Sequence, residues 1–141
     1  MRRYSVIFVA LLLAQTALGQ QAALYFRSTD IKNAPIDSSI RDVLPQKFGK
    51  HMRIKYRNGE RAKILKESVW GFRNRKGRLY RMYKGEPYEV VEKDGYIKYL
   101  YDTFVYTEPA YIPITEARYS TTLDSPIVFS RKKAQRKRNA K

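Results

Sequence analysis

The sequence predicts a mainly β protein, an antiparallel meander forming a twisted sheet or a small barrel-like roll, with at most one short helix and a disordered basic C-terminal tail. Three observations carry this. Between Met52 and Tyr101, runs rich in Tyr, Val, Ile, Phe and Trp recur at intervals of roughly 8–12 residues. Polar or glycine-bearing turns separate the runs. Gly59, Gly71, Gly77, Gly85 and Gly95 would interrupt any helix longer than two turns.

The chain starts with Arg2 and Arg3, followed by the apolar run Val6 to Leu13, extended by Ala14. Ala17 and Gly19 place small residues before Gln20. This is the pattern of a secretory signal peptide over residues 1–19. About nine apolar residues are too few to cross a hydrocarbon layer that needs roughly 20. Export to the periplasm, the outer membrane or the exterior is expected, and the mature chain has no segment long enough to span a bilayer.

The mature chain reads as one β-rich domain, residues 20–130, with its core meander over about 52–102. A first strand is expected within Gln20 to Phe26, and a turn follows from Ser28 to Pro35. Asp37 could cap a short helix over Ser38 to Leu44, ended by Pro45; Ile40, Val43 and Leu44 fit a strand as well. Met52 to Tyr56 and Arg61 to Leu65 flank Asn58-Gly59, a strong hairpin signal. Val69 to Arg73, Arg78 to Tyr83, Tyr88 to Glu92 and Tyr96 to Tyr101 follow, joined at Asn74 to Gly77, Lys84-Gly85 and Asp94-Gly95. Pro109 and Pro113 exclude a central strand from Thr103 to Tyr119, leaving an edge or a covering loop. Asp124 to Phe129 offers a last short strand. Trp70, Phe72, Tyr88, Tyr99 and Tyr101 are the expected core aromatics.

The residues for catalysis are few. The chain has no cysteine, which excludes disulfides, thiolate metal sites, a thiol nucleophile and a lipid-modified cysteine. His51 is the one histidine, set among Lys50 and Arg53, with no acid nearby in sequence to orient it as a general base. No GxSxG elbow, phosphate loop, zinc pattern or calcium loop occurs. Glu86, Glu89 and Glu92 lie close in sequence, but on a strand Glu89 points away from the other two. A non-enzymatic protein without cofactor or metal is expected.

Binding is the remaining class. The chain carries 29 basic and 13 acidic residues, a formal charge of +16. Removing Arg2 and Arg3 leaves +14 on the mature chain, since all acidic residues lie beyond Gly19. The tail, residues 131–141, reads RKKAQRKRNAK and holds no acid. Arg131, Lys132, Lys133, Arg136, Lys137 and Arg138 are the first candidate anion-binding residues, with Lys141 beyond them. A tail without an apolar face should be disordered in isolation. A weaker candidate patch is Arg73, Arg75, Lys76, Arg78 and Arg81, interleaved with Phe72, Tyr80 and Tyr83. Tyrosines packed inward with arginines pointing to water would give the same pattern.

The segment VWGFRNRKGRLYRMYKGEPYEVVEKDGYIKYLY, from Val69, resembles a group of uncharacterised secreted proteins from Bacteroidetes bacteria. Trp70, Gly71, Phe72, Arg73, Gly77, Tyr80, Arg81, Tyr88, Val90 and Tyr101 carry the likeness. YFRSTDIKNAP from Tyr25 and YSTTLDSPI from Tyr119 are similar to the opening and closing segments of such proteins. The resemblance implies export and a β-rich fold but no activity, so it carries over no site. Where such proteins tend to end in an apolar segment, this chain continues into RKKAQRKR.

Together these features point to an exported envelope or extracellular binding module. Its expected partners are anionic lipid, lipopolysaccharide phosphates or acidic glycans, export making nucleic acid the lesser candidate. A structural subunit of an envelope assembly and an unrecognised enzyme are the alternatives.

Overall fold

The computed structural model describes residues 21–46, 48–92 and 95–139. The leader expected over residues 1–19, Asp94 of the expected turn, Lys141, and the side chains of Lys137 and Arg138 lie outside this description.

Among the described residues, nine strands form two open antiparallel sheets. The three-stranded sheet runs β2 (Ile40–Pro45), β3 (His51–Tyr56), β4 (Arg61–Leu65). The six-stranded sheet runs β1 (Ala23–Tyr25), β5 (Gly71–Arg73), β6 (Leu79–Tyr83), β7 (Glu86–Glu92), β8 (Ile97–Thr107), β9 (Ala110–Ser120). The mainly β, antiparallel class expected from the sequence is what forms. The barrel-like variant does not, because neither sheet closes. The run over 52–102 is also divided between two sheets, with a 3₁₀ turn at Lys66–Ser68 marking the switch.

The helix considered over Ser38 to Leu44 is instead strand β2. Its register with β3 shifts between Ile40 and Asp42, so Arg41 is an extra, bulged residue. The bulge puts Ile40 and Val43 both inside. Apolar residues at 40, 43 and 44 therefore imitate the spacing of a helix face. A short α-helix, α1, lies earlier, at Asp30–Asn33.

The Asn58-Gly59 hairpin forms as expected, but only Gly59 takes a left-handed conformation (φ 91°). Lys84 and Gly85 both do, at 51° and 81°, and close a two-residue turn between Tyr83 and Glu86.

Pro87 lies in β7, an inner strand, at a position that tolerates it. Its partner Met82 donates its N–H away, to the Trp70 carbonyl, so the Met82–Pro87 pair is not hydrogen-bonded and the Pro87 nitrogen faces β8. Proline has nothing to donate there, and the β7–β8 ladder stops earlier, at Glu89–Leu100. Beyond that point β8 and β9 continue as a two-stranded arm, paired as far as Thr107–Ala110. Pro113 lies in β9, an edge strand, in keeping with the expected edge position of this region.

One buried cluster joins the two sheets: Ile40, Val43, Met52 and Ile54 from one, Phe72 and Met82 from the other, with Ala22 and Val69. Burying a side chain the size of Phe72 contributes about 1.5–3 kcal/mol. A second cluster, Ala23, Tyr25 and Leu79 with Trp70, Val90 and Ile31, covers the opposite face of the six-stranded sheet. Of the expected core aromatics, Phe72 and Tyr99 are fully buried, whereas Trp70, Tyr88 and Tyr101 are half-buried.

The strand considered over Asp124 to Phe129 reduces to one bridge, Tyr119–Val128. The tail is not without structure: Arg131–Asn139 forms helix α2. The run RKKAQRKRN contains strong helix formers and neither glycine nor proline. Ser130 caps it, its Oγ accepting the Lys133 N–H at 3.2 Å.

Candidate functional site

Two basic surfaces can be assembled from the described residues. The first is α2. Ala134 is buried (2% exposed) and seats the helix on the domain, whose nearest strand is β9. The Arg131 guanidinium lies over the Tyr96 ring at 4.4 Å. Lys132 and Arg136, one helical turn apart, occupy the face opposite Ala134. Arg131, Lys132, Lys133 and Arg136 are all exposed, and the helix contains no acidic residue. Four of the candidate tail residues, Arg131, Lys132, Lys133 and Arg136, are thus displayed on a docked helix.

The closing segment that delivers α2 is pinned by polar contacts. Trp70 Nε1 donates to the Leu123 carbonyl at 3.2 Å, and Ser28 Oγ to Asp124 at 2.7 Å. Arg81 Nη1 donates to the Ser125 carbonyl at 2.8 Å. Arg118 forms an ion pair with Glu116 and lies over the Phe129 ring at 4.0 Å.

The second surface lies where the sheets meet, and it divides the weaker candidate patch. Arg75, Lys76 and Arg78 line a groove of about 340 Å³ with Asp42, Phe72 and Tyr80. The Tyr80 ring stacks on Phe72, with centroids 5.0 Å apart and planes within 9°. Burial, and then the nearby Glu89 carboxylate, hold the Tyr80 hydroxyl above the ordinary tyrosine range. Arg78 pairs with Glu89 at 3.5 Å.

Arg81 does not belong to this surface. It is 5% exposed, on the opposite face of β6, and its guanidinium is held by the Tyr99 hydroxyl and the Ser125 carbonyl. Its place as an anion ligand is therefore corrected to that of an interior brace. Arg73 is half-buried on β5 and does not line the groove.

Joined to the groove through Asp42 and Arg75 is a cleft of about 190 Å³ that sequence reasoning missed. It is lined by Arg41, Lys55, Tyr56, Gly59 and Arg61. Strand register sets Asp42, Lys55 and Arg61 in one row across β2, β3 and β4, and the bulge adds Arg41. Asp42 is buried. Its Oδ1 accepts the Val43 N–H at 3.0 Å and the Arg75 N–H at 3.2 Å, and its Oδ2 lies 3.7 Å from Arg75 Nε.

His51 is exposed at the start of β3. Glu89 is engaged with Arg78, and Glu86 stands at the Lys84-Gly85 turn. Among the described residues, no helix is long and apolar enough to cross a membrane. Comparison of the chain with protein-family models, curated proteins and solved structures finds no match.

Proposed function

We propose that this protein is exported and works, without catalysis, as a binding module for anionic surfaces, with α2 as its contact. The observation carrying this reading is the exposure of Arg131, Lys132, Lys133 and Arg136 on a helix that has no acid and is seated through Ala134. Anionic lipid, lipopolysaccharide phosphates and acidic glycans all offer the complementary charge. The hydrophobic leader and the likeness to secreted proteins support export.

The test is co-sedimentation with vesicles containing anionic lipid across a salt series. Each cation near an anionic leaflet contributes about 1 kcal/mol, so replacing Lys132, Lys133 and Arg136 by Gln should weaken binding about 100-fold. Retention that ignores both salt and these substitutions ends the proposal.

A second reading, a subunit of an envelope assembly, is favoured by the β8–β9 arm. Val105, Tyr106, Tyr111 and Ile112 are exposed there, with the Tyr106 and Tyr111 rings 5.1 Å apart. Partners that co-purify through high salt and disappear on Tyr106→Ser with Tyr111→Ser would favour assembly over surface binding.

A further inference from the structure

We propose that the cleft between Arg41, Lys55, Arg61 and Arg75 binds a phosphate or sulfate group carried on a saccharide. The inference extends the anion-binding reading to a second, independent set of residues, so either can fail alone.

Charge is the first argument. Four cations from four parts of the chain face a cleft of about 190 Å³ whose single carboxylate, Asp42, is already engaged. Asp42 accepts from the Val43 and Arg75 amides and its Oδ2 lies nearest Arg75 Nε, which leaves the other three cations without a carboxylate in ion-pair range. Among the described residues, no carboxylate lies within ion-pair distance of Arg41, Lys55 or Arg61. Lys55 and Arg61 stand directly opposite on neighbouring strands. Like charges in that relation destabilise a sheet, and a bound anion would offset that repulsion.

Geometry is the second. The β2 bulge falls at Arg41, adding an arginine to the row that regular pairing would have placed elsewhere. Gly59 also lines the cleft, with φ 91° and open space where a Cβ would stand, so a ligand can approach the backbone. Arginine forks can donate two parallel N–H bonds to the oxygens of a phosphate or sulfate group.

The adjoining groove supplies the remainder of the ligand site. It shares Asp42 and Arg75 with the cleft and continues to Lys76, Arg78 and Tyr80. Tyr80 is half-buried and held flat against Phe72. A ring with an apolar face and polar edges fits such a wall, with its charged ester in the cleft. Together the two cavities match one or two sugar units, rather than the long basic track on which a nucleic-acid strand lies.

The experiment is an amide chemical-shift titration of the full-length protein with inorganic phosphate, inorganic sulfate, a hexose 6-phosphate, a sulfated disaccharide and a short single-stranded oligonucleotide. Saturable shifts are expected at Arg41, Lys55, Gly59, Arg61 and Arg75, with the sugar esters binding about tenfold more tightly than the inorganic ions. The relative affinities of the two sugar esters separate phosphate from sulfate. Lys55→Gln with Arg61→Gln should weaken binding at least about tenfold, and Arg41→Gln alone should act in the same direction. The Lys132, Lys133 and Arg136 triple substitution should leave these shifts unchanged. The proposal is overturned if the shifts fall only in α2, if the double variant binds as well as the parent, or if the oligonucleotide binds this cleft more tightly than either sugar ester.

Discussion

Arg81 Nη1 lies 3.2 Å from the Tyr99 hydroxyl, and the two form the start of a directed chain through the interior. Ser120 Oγ donates to the Thr122 carbonyl at 2.6 Å, which leaves Tyr99 to donate to Ser120 across 2.9 Å. The same guanidinium lies 5.2 Å from the Tyr83 ring centroid and 5.9 Å from that of Tyr99. A buried cation held by a hydroxyl, a carbonyl and two rings ties β6 to the segment leading into α2.

Removing that cation should cost more than replacing it with an apolar chain of similar length. Arg81→Ala leaves a cavity and strands the Ser125 carbonyl, a loss of about 3 kcal/mol. Arg81→Met refills the space, spares the cost of burying a charge, and should lose less than half as much. Urea unfolding measures both. Equal losses for the two variants, or none, would contradict the role given to this network.

Gly71 tests how tightly β5 and β6 approach. A Cβ on Gly71 would fall far inside contact distance of the Tyr80 carbonyl oxygen and 3.2 Å from Arg81 Cα, both backbone atoms. Neither can yield without parting the strands, so Gly71→Ala should destabilise by about 2–3 kcal/mol. The glycine is there for space, not for an unusual φ. A melting temperature equal to the parent's would mean that the two strands lie further apart than described.

The strand pattern from Met52 to Tyr101 could be read because its turns carry local chemistry at Gly59, Gly77 and Lys84-Gly85. The division into two sheets could not, since nothing local distinguishes a hairpin partner in the same sheet from one across the core. Parity failed for Arg81 because both faces of β6 are covered: Met82 packs in one cluster and Leu79 in the other. The cleft was invisible for a different reason. Arg41, Lys55, Arg61 and Arg75 are spread over the chain, and only strand register and one bulge bring them together. For the tail, composition suggested disorder, yet one small apolar residue, Ala134, and one cap, Ser130, suffice to seat a helix. Ser130 ahead of a run of helix formers was the available signal.

That seat can be tested apart from the charges it presents. Ser130→Ala removes the acceptor for the Lys133 N–H and should cost α2 about 1 kcal/mol. Ala134→Gln forces a polar chain into a buried position and should detach the helix. Amide hydrogen exchange at Lys133 and Arg136 should accelerate in both variants, more strongly in the second, while β3 and β6 keep their protection. Exchange in α2 that is already at the unprotected rate in the parent would remove the docked helix from the account.

The tyrosine cluster should contribute to a loss of stability at alkaline pH. Tyr88 stacks on Tyr101 with centroids 4.7 Å apart and meets Tyr99 edge-on at 6.3 Å. Burial, followed by the neighbouring Tyr101 hydroxyl, raises the Tyr88 pKa above the ordinary value of 10.0. Tyr80 is raised as well, by burial and then by Glu89. Below about pH 10 these phenols are protonated in the folded and unfolded chains alike, and the shift contributes its full stability. As pH rises past the unfolded value the unfolded chain releases protons that the folded chain retains, so stability falls until the folded value is passed. Unfolding free energy measured from about pH 9 to about pH 11 should decline, and the decline should be shallower in Tyr88→Phe than in the parent. Tyrosinate absorbance gives the matching check: Tyr88→Phe should remove a late-ionising component from the titration of the folded protein. A Tyr88→Phe variant with an alkaline limb as steep as the parent's would show that this ring ionises as freely in the fold as in the open chain.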